Sequence, residues 1–292
     1  MTDKVATTIA AGPTEKVRTV FVIGPPRTGT TLLAQLLGGG PGILSLSEPF
    51  LVHAVAPHWR LHRFLCRFQK SAGLIRVLPP RVCSADRLFA FLCELAARNN
   101  LPVLAVKETF RDIARDSAWD NVELLDRFVA SGSRMVAIIR EPYDTTVSTI
   151  KLLRGVVGFR GWLTRKFVFP NCPTFTDTGR LVRWISANWV HCVDWARRHR
   201  LTIVRYEDLV QDPHGWLRSI CQQCDLSFDE RMLDHHHPRT AFGGIGAVEV
   251  LKQPPQPVHR RSVGRGRKLT PELSEIVRAT CARRAADFGY DL

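Results

Sequence analysis

The feature that most constrains this chain is a short apolar run that ends in glycine, breaks on two prolines and restarts as a helix. Arg18-Thr-Val-Phe-Val-Ile-Gly24 has the continuous apolar character of a strand buried on both faces of a parallel sheet. Pro25 and Pro26 interrupt it, and Thr30–Leu37 follows with helical character until Gly38-Gly-Gly-Pro41 stops it. Strand, tight loop and helix in that order aim backbone N–H groups at one point, where the helix dipole favours negative charge. Similar apolar runs recur at Pro102–Val106, Met135–Ile139 and Leu201–Val204. Helical patterns lie between them at 86–98, 120–130, 144–153 and 180–199, and a closing helix at 271–288. This alternation predicts a single α/β domain of three layers, α/β/α, with a central parallel sheet and a P-loop-like phosphate-binding strand–loop–helix. Residues 1–17 read as a flexible tail and 18–292 as the domain, with elaborations at about 52–85 and 155–178.

Composition narrows the classes. Of 292 residues, 45% are hydrophobic and 23% charged, which excludes wholesale disorder. No run of 18 apolar residues occurs, and the N-terminus lacks the apolar core of a signal peptide, so the chain reads as cytoplasmic. Lysine and arginine total 41 against 27 acids, a net charge of +14. That surplus suits nucleic acid, an anionic membrane surface or an acidic small molecule. No zinc-finger or RNP spacing and no internal repeat is present. The eight cysteines do not form a disulfide framework and read as reduced. Cys221-Gln-Gln-Cys224 would need two more ligands, such as among His235, His236 and His237, to hold zinc. Two thiols on a helix before a polar loop is the simpler reading, and no metal is expected.

The loop itself is Gly24-Pro-Pro-Arg-Thr-Gly29-Thr30-Thr31. A Walker A loop would carry lysine where Thr30 stands, so the spacing argues against nucleoside triphosphate hydrolysis. Arg27 supplies positive charge within the loop instead. Further on, Arg140 ends a strand and Ser148 follows eight residues later in the next helix. A guanidinium can fork onto phosphate oxygens, and a hydroxyl from the second helical turn can add a donor.

Together these two segments resemble the 5′-phosphosulfate loop and the 3′-phosphate motif of sulfotransferases that use 3′-phosphoadenosine 5′-phosphosulfate (PAPS). Three further segments match in order: Val204-Arg-Tyr206-Glu-Asp-Leu with Asp212-Pro213, Ser262-Val-Gly-Arg265-Gly-Arg-Lys, and Phe288-Gly-Tyr290. The resemblance spans about 18–292. One departure is Gly266, where many relatives carry tryptophan. The resemblance implies sulfuryl transfer from PAPS to a hydroxyl. Arg27, Thr28, Gly29, Thr30 and Thr31 would hold the 5′-phosphosulfate, Arg140 and Ser148 the 3′-phosphate, and Tyr206 and Arg265 would add nucleotide contacts. Relatives that sulfate tyrosine or sugars often use a glutamate just beyond the first helix, which points to Glu48 as general base. Lys107 resembles the family lysine, and with Arg27 would stabilise charge on the leaving oxygen. Cytosolic aryl and steroid enzymes place a catalytic histidine where Thr109 stands, so the resemblance is closer to the tyrosylprotein and carbohydrate type. His53 and His58 are weaker alternatives for the base.

The acceptor is the least determined part. In Trp59–Lys70, Leu61, Phe64, Leu65 and Phe68 form a helical stripe with Arg60, Arg63, Arg67 and Lys70 largely off it. Residues 151–170 hold Lys151, Arg154, Arg160, Arg165 and Lys166, no acid, and the interleaved Phe159, Trp162, Phe167 and Phe169. These segments read either as a helix and lid packed on the core, or as a basic, aromatic rim. Such a rim would suit a glycan, glycolipid or other acidic or amphiphilic acceptor, with contact to an anionic membrane surface. A P-loop nucleotide kinase would share the first loop but gains nothing from Arg140 and Ser148. A nucleic-acid-binding module would explain the charge but not Glu48 and Lys107, so no nucleic acid is expected as partner.

Overall fold

The structure, a computed structural model, describes residues 17–50, 58–71, 73–79, 84–112, 121–155, 177–234, 241–242 and 258–292. Among the described residues six strands form one sheet: β1 (Arg18–Gly24), β2 (Ile43–Ser47), β3 (Val103–Thr109), β4 (Arg134–Ile139), β5 (Thr202–Arg205) and the two-residue β6 (Ala241–Phe242). Their order is β5-β4-β1-β3-β2-β6, and every pairing is parallel. The described helices are α1 (Thr30–Gly38), α2 (His58–Ser71), α3 (Ala85–Arg98), α4 (Val122–Ala130), α5 (Pro142–Gly155), α6 (Thr178–Arg198), α7 (Tyr206–Gln211), α8 (Pro213–Gln223) and α9 (Pro271–Ala286).

The three layers follow from the period-2 alternation of β1. Phe21 and Ile23 face one way, into a core with Leu88, Leu92 and Leu95 of α3, Phe128 of α4 and Trp195 of α6. Val20 and Val22 face the other way, onto Leu33, Leu36 and Leu37 of α1, Leu209 of α7, and Leu217 and Ile220 of α8. A third cluster joins α5, α6 and α9 around Trp189, Val193, Val277 and Cys281. Some helix starts carry side-chain caps: Ser84 accepts from Arg87 N–H before α3, and Asp212 accepts from Gly215 N–H with Pro213 in the first turn of α8.

The neighbours of β1 are β3 on one side and β4 on the other. The connections from β1 and from β3 therefore lead to opposite halves of the sheet, which opens a crevice beyond the carboxyl ends of these strands. The backbone bond Phe110 N–H to Gly24 O, 2.8 Å, closes β3 onto the end of β1 where the loop begins. β3 also runs further than its apolar run, to Thr109, so Lys107, Glu108 and Thr109 lie within the sheet and are buried. Among the described residues no helix is long and apolar enough to cross a membrane.

Candidate active site

The loop between β1 and α1 is shaped by two left-handed residues, Arg27 at φ 69° and Gly29 at φ 99°. Gly29 is required twice. Its φ disfavours a side chain, and a Cβ there would lie 2.5 Å from the Tyr206 ring. Gly24 is equally confined, since a Cβ would meet Ile138 O at 2.3 Å. Buried Thr28 braces the turn through its hydroxyl, which donates to Pro25 O at 2.8 Å. Gly29, as the residue before α1, offers no side-chain cap, and the first turn of α1 holds no acid. The N-terminus of α1 thus keeps the backbone donors and positive dipole end that suit an anion.

The loop touches the second motif directly. Arg27 Nε donates to Ser148 Oγ at 3.2 Å, and Thr149 Oγ1 reaches Pro26 O at 3.4 Å. Arg140 sits at the mouth of α5, buried, with its guanidinium 4.8 Å from the centre of the Tyr206 ring. One ring therefore packs beneath both Gly29 and Arg140. Arg140 Nη2 pairs with Asp144 Oδ2 at 3.0 Å and also donates to Ser262 O. Its buried Nε has no hydrogen-bond partner, an orphan donor of the kind that marks a site for a ligand. Asp144 in turn accepts from Gly264 N–H at 2.8 Å and from Gly266 N–H at 2.5 Å, which draws the segment around the 3₁₀ turn Arg265–Lys268 onto α5. A Cβ at Gly266 would lie 2.4 Å from Tyr143 Cβ. Tyr143 thus explains why a bulky residue is absent at that position. Arg265 folds back on its own segment, with Nε donating to Arg261 O at 3.1 Å. The Tyr206 segment and the chain end are tied to the same place. Glu207 accepts from Glu141 N–H at 3.0 Å and from Tyr290 Oη at 2.7 Å.

The third group lies on β2 and β3. The parallel register places Ser47 beside Lys107, and Thr109 beside Gly24 at the start of the loop. Glu48 follows at φ 56° and its N–H donates to Lys107 O at 2.6 Å. This turn directs its carboxylate onto the Lys107 ammonium, which pairs with Glu48 Oε1. Thr109 Oγ1 donates to the same Oε1 at 2.6 Å and accepts from Lys107 Nζ at 3.0 Å. All three are buried. Burial alone would raise the Glu48 carboxyl, but the Lys107 and Arg111 charges and two hydrogen bonds outweigh it and hold it at about 2. Behind it, Glu108 Oε1 accepts Phe50 N–H at 2.9 Å and so fastens the turn that carries Glu48. Its other oxygen is 3.5 Å from Arg111, beyond strong hydrogen-bond reach, and burial pushes this carboxyl up to about 7.

The structure thus brings Arg27, Thr28, Gly29, Thr30, Thr31, Ser148, Arg140 and Tyr206 around the loop, and Glu48 with Lys107 beside it. The sequence alone does not mark Thr109, Glu108, Arg111 and Asp144 as site residues. The signal is there in part: the charged and hydroxylic residues Lys107, Glu108 and Thr109 end an otherwise apolar strand, with Arg111 just beyond it. His58 begins α2, whereas His53, His235–His237 and the basic, aromatic residues 156–176 lie outside the described residues. Cys221 and Cys224 are buried thiols, and Cys221 Sγ lies 3.6 Å from Met232 Sδ.

Comparison with known proteins points the same way. A family model described as "Sulfotransferase family" matches residues 19–230. The chain is 22% identical over 284 residues to protein-tyrosine sulfotransferase 1 of Danio rerio, covering 93% of this chain and 72% of that protein. It is 26% identical over 254 residues to nodulation protein NoeE of Sinorhizobium fredii, covering 80% of this chain and only 54%, about half, of that protein. The sulfotransferase domain from the Synechococcus PCC 7002 olefin synthase superposes with a TM-score of 0.57 at 20% identity, over 96% of this chain and 98% of that domain. The mouse sulfotransferase SULT7A1 complexed with PAP superposes with a TM-score of 0.51 at 15% identity, over 93% and 86% of the two chains. These two structural likenesses show a shared fold.

Proposed function

The chain belongs to the sulfotransferase family, and from that premise we propose that it moves a sulfuryl group from PAPS to a hydroxyl acceptor. The observation that carries the choice of donor is the buried, partly orphaned Arg140 beside the phosphate loop. A 3′-phosphate gives the unpaired Nε an anion, and a donor without that phosphate leaves it wanting. The mouse relative complexed with PAP supports the same reading.

PAPS would supply a sulfuryl group attached to a phosphate leaving group. Arg27 and the backbone N–H groups of Thr28–Thr31 hold the 5′ end, and Arg140 with Ser148 holds the 3′-phosphate. Glu48 Oε1 takes the proton of the acceptor hydroxyl. Its proximity to Lys107 sets a condition on that role, because a carboxylate held at about 2 is a weak base. Lys107 Nζ must leave Glu48 and turn toward the departing oxygen, where its charge helps the transition state. Glu48 then remains buried without its nearest cation, and desolvation makes it more basic. The two roles are therefore coupled: one movement of Lys107 stabilises the leaving group and releases the base. Thr109 stays bonded to Glu48 and keeps the carboxylate oriented. Cationic side chains provide the neutralisation in this scheme, with no metal assigned to it. Nucleotide contacts from Arg265 would require it to leave the Arg261 carbonyl. The acceptor belongs to the glycan, glycolipid or small-molecule hydroxyls, and the site is closer to the tyrosylprotein and carbohydrate type because Thr109 stands where a histidine would serve aryl and steroid substrates.

Calorimetry tests the donor. Adenosine 3′,5′-bisphosphate should bind much more tightly than ADP, and Arg140→Ala should cost roughly 1.5–3 kcal/mol of that affinity. Equal affinity for the two nucleotides in the parent, or an unchanged bisphosphate affinity in folded Arg140→Ala, would remove the reading. Mass spectrometry of acceptor mixtures incubated with PAPS, searched for a sulfate mass shift, then identifies the acceptor.

A further inference from the structure

The outward face of α2 carries a stripe that lies outside the phosphate loop, the Arg140 cluster and the Glu48–Lys107 pair. Trp59, Arg63, Arg67 and Lys70 recur at spacings of four, four and three residues, which is one face of a helix. All four are exposed, whereas Leu65 and Gln69 on the other face are buried. Beyond the helix, Ile75 is 59% and Leu78 79% exposed, with Arg76 exposed between them. This display is held in place. Gln69 Oε1 accepts Val77 N–H and Asn99 Oδ1 accepts Ile75 N–H, both at 2.6 Å, while Val77 is buried. No aspartate or glutamate occurs anywhere in 58–79. Among the described residues Arg63, Arg67, Lys70 and Arg76 meet no carboxylate. Of the four large hydrophobic side chains exposed in the described residues, three, Trp59, Ile75 and Leu78, fall in this one stretch, and the fourth, Val263, is the least exposed. Isolated exposed apolar side chains are ordinary, but three of them interleaved with four cations on a pinned surface are not.

We propose that this surface, the outer face of α2 with residues 75–78, docks the protein on an anionic lipid bilayer. The chemistry selects that partner. Nucleic acid would satisfy the cations but leave Ile75 and Leu78 in water. An apolar protein groove would take the two aliphatic side chains but leave the cations without counter-charge. An anionic bilayer offers phosphates to Arg63, Arg67, Lys70 and Arg76, and an acyl boundary to Ile75 and Leu78. Trp59 has the amphipathic ring that suits the headgroup level. The proposal goes beyond the transfer reaction, since none of these residues belongs to the phosphate loop, the Arg140 cluster or the Glu48–Lys107 pair.

Co-sedimentation with vesicles of phosphatidylcholine alone, and of phosphatidylcholine mixed with phosphatidylglycerol, tests it. The protein should partition onto the mixed vesicles and much less onto the neutral ones. Each cation removed should weaken binding about fivefold, so Arg63→Ala/Arg67→Ala should weaken it by about 25-fold. Ile75→Ser/Leu78→Ser should lower the binding that persists at high salt. Should the first pair of arginine variants fail to fold by circular dichroism, Lys70→Ala/Arg76→Ala makes the same test from the other end of the stripe. Failure to bind mixed vesicles, or binding unaffected by either class of variant, overturns the proposal. DNA binding lost in the arginine variants, without vesicle binding, also overturns it in favour of nucleic acid. Adenosine 3′,5′-bisphosphate affinity, measured on the same samples, should be unchanged in every variant, which keeps failure here separate from failure of the donor assignment.

Discussion

Glu48 and Lys107 neutralise each other in a buried site, and Thr109 bridges them. Pairing restrains both: it makes the carboxylate weakly basic, and it holds the ammonium on Glu48 and Thr109. Their substitution should therefore separate binding from chemistry. Glu48→Gln keeps the size and can still accept a hydrogen bond, but it cannot take a proton. Turnover should fall by on the order of 10²–10⁴-fold while bisphosphate affinity stays within a few-fold. Lys107→Met keeps the stem and removes the charge, and should cost about 10²–10³-fold in turnover. Single-turnover transfer beside a binding titration reads both quantities. A Lys107→Met variant that loses donor affinity and turnover by the same factor would make Lys107 a binder of the ground state. The identities of these two residues are legible in the sequence only through family resemblance. Their contact is not, because they stand 59 residues apart and meet through the β2–β3 register. Thr109 likewise reads as a missing histidine until its hydroxyl is seen between the pair.

At the scale of elements, β1, the loop and α1 are the most legible part of the chain, since an unbroken apolar strand, two prolines and Gly29 have few other uses. The principal helices fall close to where periodicity places them. What periodicity cannot show is how the end of the chain reaches back to α5. Asp144 is an unremarked carboxylate in a helical pattern, yet it binds Arg140 and the amides of Gly264 and Gly266, 120 and 122 residues later. β6 is two residues long and has no pattern to find. Asp144 thus fastens two elements with one buried charge. Asp144→Ala leaves Arg140 buried without its carboxylate and two backbone donors without acceptors. It should cost about 3–5 kcal/mol in denaturant unfolding, with faster hydrogen exchange at Gly264 and Gly266. Adenosine 3′,5′-bisphosphate should restore part of that stability, because a phosphate gives Arg140 an anion again. A loss below about 1 kcal/mol would show that this segment is held by other contacts.

Across the whole molecule, 41 cations face 27 acids, and the surplus is not gathered at one point. Some cations line the candidate donor site and others the outer face of α2, but arginines also sit in exposed pairs such as Arg127–Asp86, Arg134–Asp225 and Arg278–Glu275. Two electrostatic effects therefore compete as salt is added. Screening weakens the exposed pairs, each worth only about 0–1 kcal/mol. It also relieves the long-range repulsion of a net charge of +14, which acts on every part of the fold at once. Raising ionic strength from about 0.01 M to about 0.1 M shortens the screening length from about 30 Å to about 10 Å. That distance removes repulsion across the molecule while pairs in contact persist. Repulsion should thus dominate the response, and the ligand-free protein should melt at a higher temperature in the saltier buffer, by about 2–4 °C for each kcal/mol relieved. Donor affinity should move the opposite way, since the same cations attract a polyanionic nucleotide less strongly when screened. Scanning calorimetry and bisphosphate titration across one salt series measure both. A melting temperature that falls with salt would mean that the exposed pairs, rather than the net charge, govern stability, and that the basic surplus is already neutralised locally.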